Sequence, residues 1–147
     1  MLREETATAT MAVLEEAVAL HLRLQAAAEA LHGRTELTRA CRGVLRDLAR
    51  VGPHTVPQLA RRRPLTRQTV QEQVNRLVAA GLAELLVNPD HARSRLVRLT
   101  VAGQEAVREM EEQETELVSG LPPVASVEEL ERAASILRDL RRQMERT

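Results

Sequence analysis

The sequence predicts a mainly α chain with a small β-hairpin wing, a winged helix-turn-helix with flanking N- and C-terminal dimerisation helices. Three observations carry that expectation. Two short helices, opened by Thr55 and Thr66, are separated only by the tight connection 61–65, which holds Pro64. Two β-compatible stretches, 82–87 and 95–99, bracket the turn-forming run Asn88-Pro89-Asp90-His91-Ala92-Arg93-Ser94. Finally, the charge is segregated. The 147 residues hold 21 basic and 21 acidic side chains, yet residues 1–32 carry a net −3, residues 33–100 a net +8 and residues 101–147 a net −5.

The elements follow in order. Over 11–31, Met11, Leu14, Val18, Leu22 and Leu31 recur near the helical period opposite Glu15, Glu16, Arg23 and Glu29, and His32-Gly33 stops the helix. Thr38 caps a second helix to about Arg50, its inner face Cys41, Val44, Leu45 and Leu48, and Gly52-Pro53 ends it. Thr55 with Gln58 forms a capping box around Pro57, which the first helical turn tolerates. Thr66 caps the next helix, whose inner face reads Val70, Val74, Leu77 and Val78, and Gly81 ends it. After the hairpin a long helix starts at Thr100 and breaks near Gly120 and Pro122-Pro123. Ser126 with Glu129 opens the last helix, with a stripe of Leu130, Ala134, Leu137, Leu140 and Met144.

This divides the chain into an N-terminal dimerisation helix (11–32), a winged helix-turn-helix lobe (33–100) and C-terminal dimerisation helices (101–147). A lobe of that size cannot cover the outer stripes. Met11, Leu14 and Val18 at one end, and Leu130, Leu137, Leu140 and Met144 at the other, are therefore expected to pack against a second copy.

Composition excludes several classes. All 21 basic residues are Arg, and Phe, Tyr and Trp are absent, so aromatic stacking on single strands or RNA is disfavoured. A single Cys forms no internal disulfide and fits a reducing compartment. No apolar run approaches the ~18 residues of a membrane span, and the N-terminus lacks signal-peptide order, so a soluble, cytoplasmic chain is expected.

The basic middle points to an anion. The helix opened by Thr66 carries Arg67, Gln68, Thr69, Gln71, Asn75 and Arg76 on its outer positions, residue types that pair with guanine and adenine edges in a major groove. Its N-terminus aims backbone N–H groups outward, and Arg61, Arg62 and Arg63 just upstream add sequence-independent attraction to phosphate. Arg93, Ser94 and Arg95 on the hairpin turn would reach an adjacent minor groove or phosphate. The plain alternative is a solvated charged face.

The ordered set Leu37-Thr38, Val44-Leu45, Leu59-Ala60, Thr66-Arg67-Gln68-Thr69-Val70, Arg76-Leu77-Val78-Ala79-Ala80-Gly81-Leu82, Asn88 to Ser94 and Val97-Arg98-Leu99-Thr100-Val101-Ala102-Gly103 resembles the MarR family of bacterial transcriptional regulators. The resemblance covers about 11–146. It implies a homodimer on pseudo-palindromic double-stranded promoter DNA, usually a repressor released by a small molecule or an oxidant. It also makes Arg93 the wing arginine and starts the recognition helix at Thr66, Arg67, Gln68 and Thr69. The chain departs from the family pattern at Glu72 and Ala92, where basic residues are common, and in Ala83-Glu84-Leu85-Leu86, a less basic first wing strand. Those departures and the acidic outer helices motivate a rival reading, a winged-helix protein-interaction module with weak or lost DNA binding. The resemblance places an effector pocket where the dimerisation helices meet the lobe; His21, Arg42 and Arg46 are candidates there, and an apolar or empty pocket is equally open.

Other groups offer less. Cys41 reads either as a helix-N-terminal thiol or as an inert one on an apolar face. His21, His32, His54 and His91 sit on different elements without converging spacing, so no metal site and no cofactor are expected. No nucleophile–base arrangement, phosphate loop or CxxC pair appears, and the Glu109–Glu116 cluster reads as a solvated face, so an enzyme is not expected.

Overall fold

In a computed structural model describing residues 1–32 and 37–146, the chain forms six helices and one three-stranded sheet. The order is α1 (Leu2–His32), α2 (Arg39–Val51), β1 (His54–Thr55), α3 (Val56–Arg62), α4 (Arg67–Ala79), β2 (Ala83–Leu86), β3 (Leu96–Leu99), α5 (Val101–Ser119) and α6 (Val127–Met144). Two compact units result, Met1–Glu114 and Thr115–Thr147, with the boundary inside α5. No described helix is long and apolar enough to cross a membrane. The mainly helical fold with a winged sheet agrees with the sequence reading, while Gly33 as the α1 stop lies outside the described residues.

Local caps set most boundaries. Thr38 Oγ1 accepts from Cys41 N (3.3 Å), and Thr66 Oγ1 accepts from Thr69 N (3.1 Å). Thr55–Gln58 and Ser126–Glu129 form complete capping boxes, each side chain accepting from the other residue's backbone N–H. α1 begins nine residues earlier than its apolar pattern, and within that first stretch Thr6, Thr8 and Thr10 donate their hydroxyls to the carbonyls of Leu2, Glu4 and Thr6.

The sheet runs β1-β3-β2, antiparallel throughout. Leu85 faces Val97 and Glu84 faces Arg98 in the hairpin, and β1 adds a short third strand by pairing His54 with Val97 and Thr55 with Leu96. The sequence pattern predicts only the hairpin. Two residues carry no period, and what makes β1 a strand is the distant edge of β3.

The core lies between α2, α3, α4 and the sheet. Val44, Leu45, Leu59, Val70, Val74, Leu77 and Val97 are completely buried, joined by Leu48, Leu99, Val107 and Met110. Truncating a buried leucine such as Leu45 or Leu77 to alanine costs about 2–5 kcal/mol. Val78 is a correction to the expected inner face of α4. It is 36% exposed, and Gln73 takes the inward position, with Oε1 buried and unpartnered among the described residues.

The lobe closes onto α5 through a turn that requires glycine twice. Gly81 has φ +73°, in the left-handed region where a Cβ is disfavoured. A Cβ on Gly103 would stand 1.9 Å from the Leu82 carbonyl oxygen. Thr100 binds the two ends, donating from Oγ1 to Gly81 O (2.6 Å) and from N to Leu82 O (3.1 Å).

Candidate nucleic-acid interface

α4 owes its position to three buried side chains, Val70, Val74 and Leu77, which seat it against α2 and α3. A period of about 3.6 residues turns the remaining positions outward. Arg67, Gln68, Gln71, Asn75 and Arg76 are all exposed. Thr66 and Thr69 are engaged with each other, their hydroxyls 2.7 Å apart, and so hold the first turn of the helix. Gln71 Nε2 donates to Asn75 Oδ1 (2.9 Å), which ties two outward amides into one unit.

The hairpin closes beside this face. Asn88 Oδ1 accepts from Asp90 N (3.0 Å), an Asx turn that shapes the tip, and the Glu84–Arg98 ion pair bridges the two wing strands. Between α4 and the wing runs a groove of about 490 Å³ lined by Val56, Pro57, Arg67, Gln68, Gln71, Leu85, Arg93, Ser94 and Arg95. Helix and wing-tip residues that stand 22 or more positions apart in sequence thus share one basic concavity. Arg61, Arg62, Arg67, Arg76, Arg93 and Arg95 make no ion pair among the described residues. These guanidiniums therefore have their donors free for an external anion.

Arg63 is placed differently from its two neighbours. Its Nε donates to Asp47 Oδ2 (2.6 Å), and its guanidinium lies against Gly43 on α2. The sequence reads Arg61, Arg62 and Arg63 as one phosphate-directed run. Here Arg63 braces the turn between α3 and α4, because α2 presents a carboxylate beside a residue with no side chain.

A second polar cluster joins α1, α2 and α5. Arg42, only 4% exposed, donates to Glu29 Oε1 (2.7 Å) and to Leu37 O (2.8 Å). Arg39 also reaches Glu29 (3.3 Å) and Gln25 (3.0 Å), and Gln25 in turn donates to His21 (2.6 Å). Burial alone would raise the Glu29 pKa, but hydrogen bonds and charge from Arg42 and Arg39 hold it below the usual carboxylate range. Glu114 on α5 accepts from Arg46 and lies 3.4 Å from His32 Nε2, which is buried. Arg42 and Arg46 thus stand at the junction named from sequence, already neutralised by α1 and α5, whereas His21 is exposed and reaches it only through Gln25. Their partners carry no local sequence signal, because Glu29 stands on the preceding helix, 13 residues from Arg42, and Glu114 lies 68 residues from Arg46.

Cys41 is 1% exposed, with Sγ 3.8 Å from Gln73 O, so the thiol is enclosed against α4. Among the described residues no cluster of His, Cys, Asp and Glu has the grouping that holds a metal. On the outer helices, Met11 (53%), Val18 (61%), Leu130 (52%), Leu137 (41%) and Met144 (66%) are exposed, and Leu14 and Leu140 half-buried.

Comparison with known proteins agrees with this geometry. A model of the MarR family matches residues 35–94, from the start of the lobe to the wing tip. Curated but uncharacterized proteins of Mycobacterium tuberculosis and Mycobacterium bovis are 52% identical over 58 residues, 40% of this chain. That match spans only 41% of the relatives' own length. A crystal structure of a MarR family transcription regulator superposes with TM-score 0.76 at 26% identity, covering 96% of this chain and 93% of that one. Staphylococcus aureus MarR in complex with salicylate and kanamycin shares the fold, with TM-score 0.73, 14% identity and 89% of each chain covered. Residues 35–94, the helix-turn-helix and wing, are thus similar in sequence to the MarR family, and the chain shares its fold almost end to end with a MarR family transcription regulator.

Proposed function

We propose that the chain is a sequence-specific regulator of transcription that binds double-stranded promoter DNA as a homodimer and acts as a repressor released by a small molecule. The observation that carries the DNA reading is the convergence of Arg67, Gln68 and Gln71 from α4 with Arg93, Ser94 and Arg95 from the wing on one groove. Unpaired arginines supply the phosphate attraction, and outward amides supply base-edge recognition. α4 would enter the major groove while the wing lies against the flanking backbone or minor groove.

The dimer reading rests on apolar surface. Met11, Leu14, Val18, Leu130, Leu137, Leu140 and Met144 lie on α1 and α6, and α6 has no buried residue at all within the single chain. The proposed division into a central lobe and dimerising ends follows from it. Obligate homodimer interfaces of this kind bury more than ~2,000 Å² and set half-sites about 10 base pairs apart.

Effector release rests on the α1–α2–α5 junction, where Arg42 and Arg46 are neutralised by Glu29 and Glu114. A carboxylate-bearing molecule would have to exchange with one of those acids. The salicylate named with the S. aureus protein is of that chemical type.

Gel shift or fluorescence anisotropy with the chain's own upstream DNA against random duplex tests the central proposal. Preference for the upstream fragment is the expected result; equal binding of both, or none, overturns it. Sedimentation of the wild type and of a Leu137→Glu/Leu140→Glu double variant tests the dimer. A well-folded wild-type monomer at micromolar concentration would overturn that part.

A further inference from the structure

Glu72 stands where a DNA-binding helix has least use for negative charge. On α4 the buried residues are Val70, Gln73, Val74 and Leu77, and the helical period sets Gln68, Glu72 and Asn75 on the diametrically opposite strip. Glu72 is exposed and makes no side-chain ion pair or hydrogen bond among the described residues, although Arg76 lies one turn further along. α5 offers a contrast, since Arg108 there binds Glu105 three residues before it and Glu112 four residues after it. Its neighbours on the strip are already ordered, because Gln71 donates to Asn75 (2.9 Å) and holds both amides on the outer face.

We propose that Glu72 is a specificity-determining residue whose carboxylate accepts a hydrogen bond from the exocyclic amino group of a cytosine in each operator half-site. The inference deepens the DNA-binding reading and rests on it. A carboxylate lowered into a major groove meets acceptors on G, on T and on the N7 edge of A, and meets phosphate charge all round. Cytosine is the base whose groove edge offers a donor with no lone pair beside it. Glu72 therefore does two things with one group. It rewards cytosine at its position, and it penalises every other sequence by repulsion and by stripping water from an unpartnered charge. Arg67, Arg76, Arg93 and Arg95 supply enough attraction for the complex to tolerate the penalty.

The test starts from sequences selected out of a random duplex library by the wild-type chain, followed by affinities for every single-base variant of the selected site. Glu72→Ala should erase the preference for cytosine at one half-site position, about ten-fold, and leave the other positions unchanged. The same variant should bind random duplex more tightly than the wild type does. Glu72→Gln, nearly isosteric, should move the preference at that position from cytosine towards adenine. A duplex whose cytosine is replaced by 2-pyrimidinone, which lacks the amino group, should cost the wild type about ten-fold and cost Glu72→Ala less than two-fold. If the wild type selects a site and Glu72→Ala keeps every base preference, the role of Glu72 is refuted while DNA binding stands. If the wild type selects no sequence at all, both readings fall. Glu72 is outside the core, and a circular dichroism melt shows that each variant is folded before binding is measured.

Discussion

Arg62 and Arg63 are adjacent in sequence but should respond oppositely to alanine substitution when DNA binding is measured against salt. Around α4 and the wing, Arg61, Arg62, Arg67, Arg76, Arg93 and Arg95 have no acidic partner among the described residues, so the proposed interface offers about six guanidiniums per lobe to phosphate. Each neutralised phosphate contributes about 0.9 to the slope of log affinity against log salt, which sets a ceiling of about 5 per lobe and about 11 per dimer. Arg62→Ala removes one such contact from each lobe and should lower the dimer's slope by about 2. Arg63 is held by Asp47 at 2.6 Å, with side chains 29% and 14% exposed, so Arg63→Ala should leave the slope unchanged. What Arg63→Ala should lose is stability, on the order of 1–3 kcal/mol, because Asp47 is left half-buried without its partner. Fluorescence anisotropy on random duplex across a four-fold range of salt reads the slopes, and urea unfolding reads the stability. A slope that falls as far for Arg63→Ala as for Arg62→Ala would refute the partition.

Three other outcomes follow from the core and the junction. Gly103→Ala should cost about 1–3 kcal/mol in chemical unfolding, since its Cβ would meet the Leu82 carbonyl at 1.9 Å and backbone must move; an unchanged midpoint would contradict that packing. Gln73→Met should stabilise by about 1 kcal/mol, because it replaces a buried, unpartnered Oε1 with a flexible apolar chain; a destabilised variant would mean that Oε1 is satisfied in solution. Glu29, with its pKa held below the ordinary 4.5, contributes stability that is complete above that value and lost as pH falls through the lowered one. Melting temperatures of wild type and Glu29→Gln should therefore converge in acid below about pH 4.5, and parallel curves would remove Glu29 from the acid transition.

What could be read from sequence divides by the range of the interaction. Thr38, Thr55 with Gln58, Thr66 and Ser126 with Glu129 all act three residues along the chain, and each capped helix begins where its cap stands. The inner face of α2, Cys41 to Leu48, follows from periodicity alone and is wholly buried. Periodicity fails where one face is judged too widely. Val78 lies about a quarter-turn off the line of Val70, Val74 and Leu77, and the vacated inward position falls to a glutamine that no hydrophobic pattern would select. Partners that meet only after folding left no local trace. β1 needs β3, Arg63 needs Asp47, and Arg42 and Arg46 need acids from helices on either side of the lobe. The groove was legible as two separate basic stretches, whereas their convergence beside Leu85 depends on the fold.

The zero net charge of the chain acquires a physical meaning from these pairings. Glu29 of the acidic N-terminal segment neutralises Arg39 and Arg42, and Glu114 of the acidic C-terminal segment neutralises Arg46. Within the basic segment, Asp47 and Glu84 neutralise Arg63 and Arg98. Among the described residues, acids therefore meet Arg39, Arg42 and Arg46 of α2 and Arg98 of β3, and no ion pair engages Arg67, Arg76, Arg93 or Arg95 beside α4 and the wing. The same arrangement restrains motion at the junction. Arg42 is 4% exposed, and an α1 displaced along α2 would draw Glu29 away from it and leave the cation with the Leu37 carbonyl as its remaining partner among the described residues. Small slides of α1 are thus opposed at once.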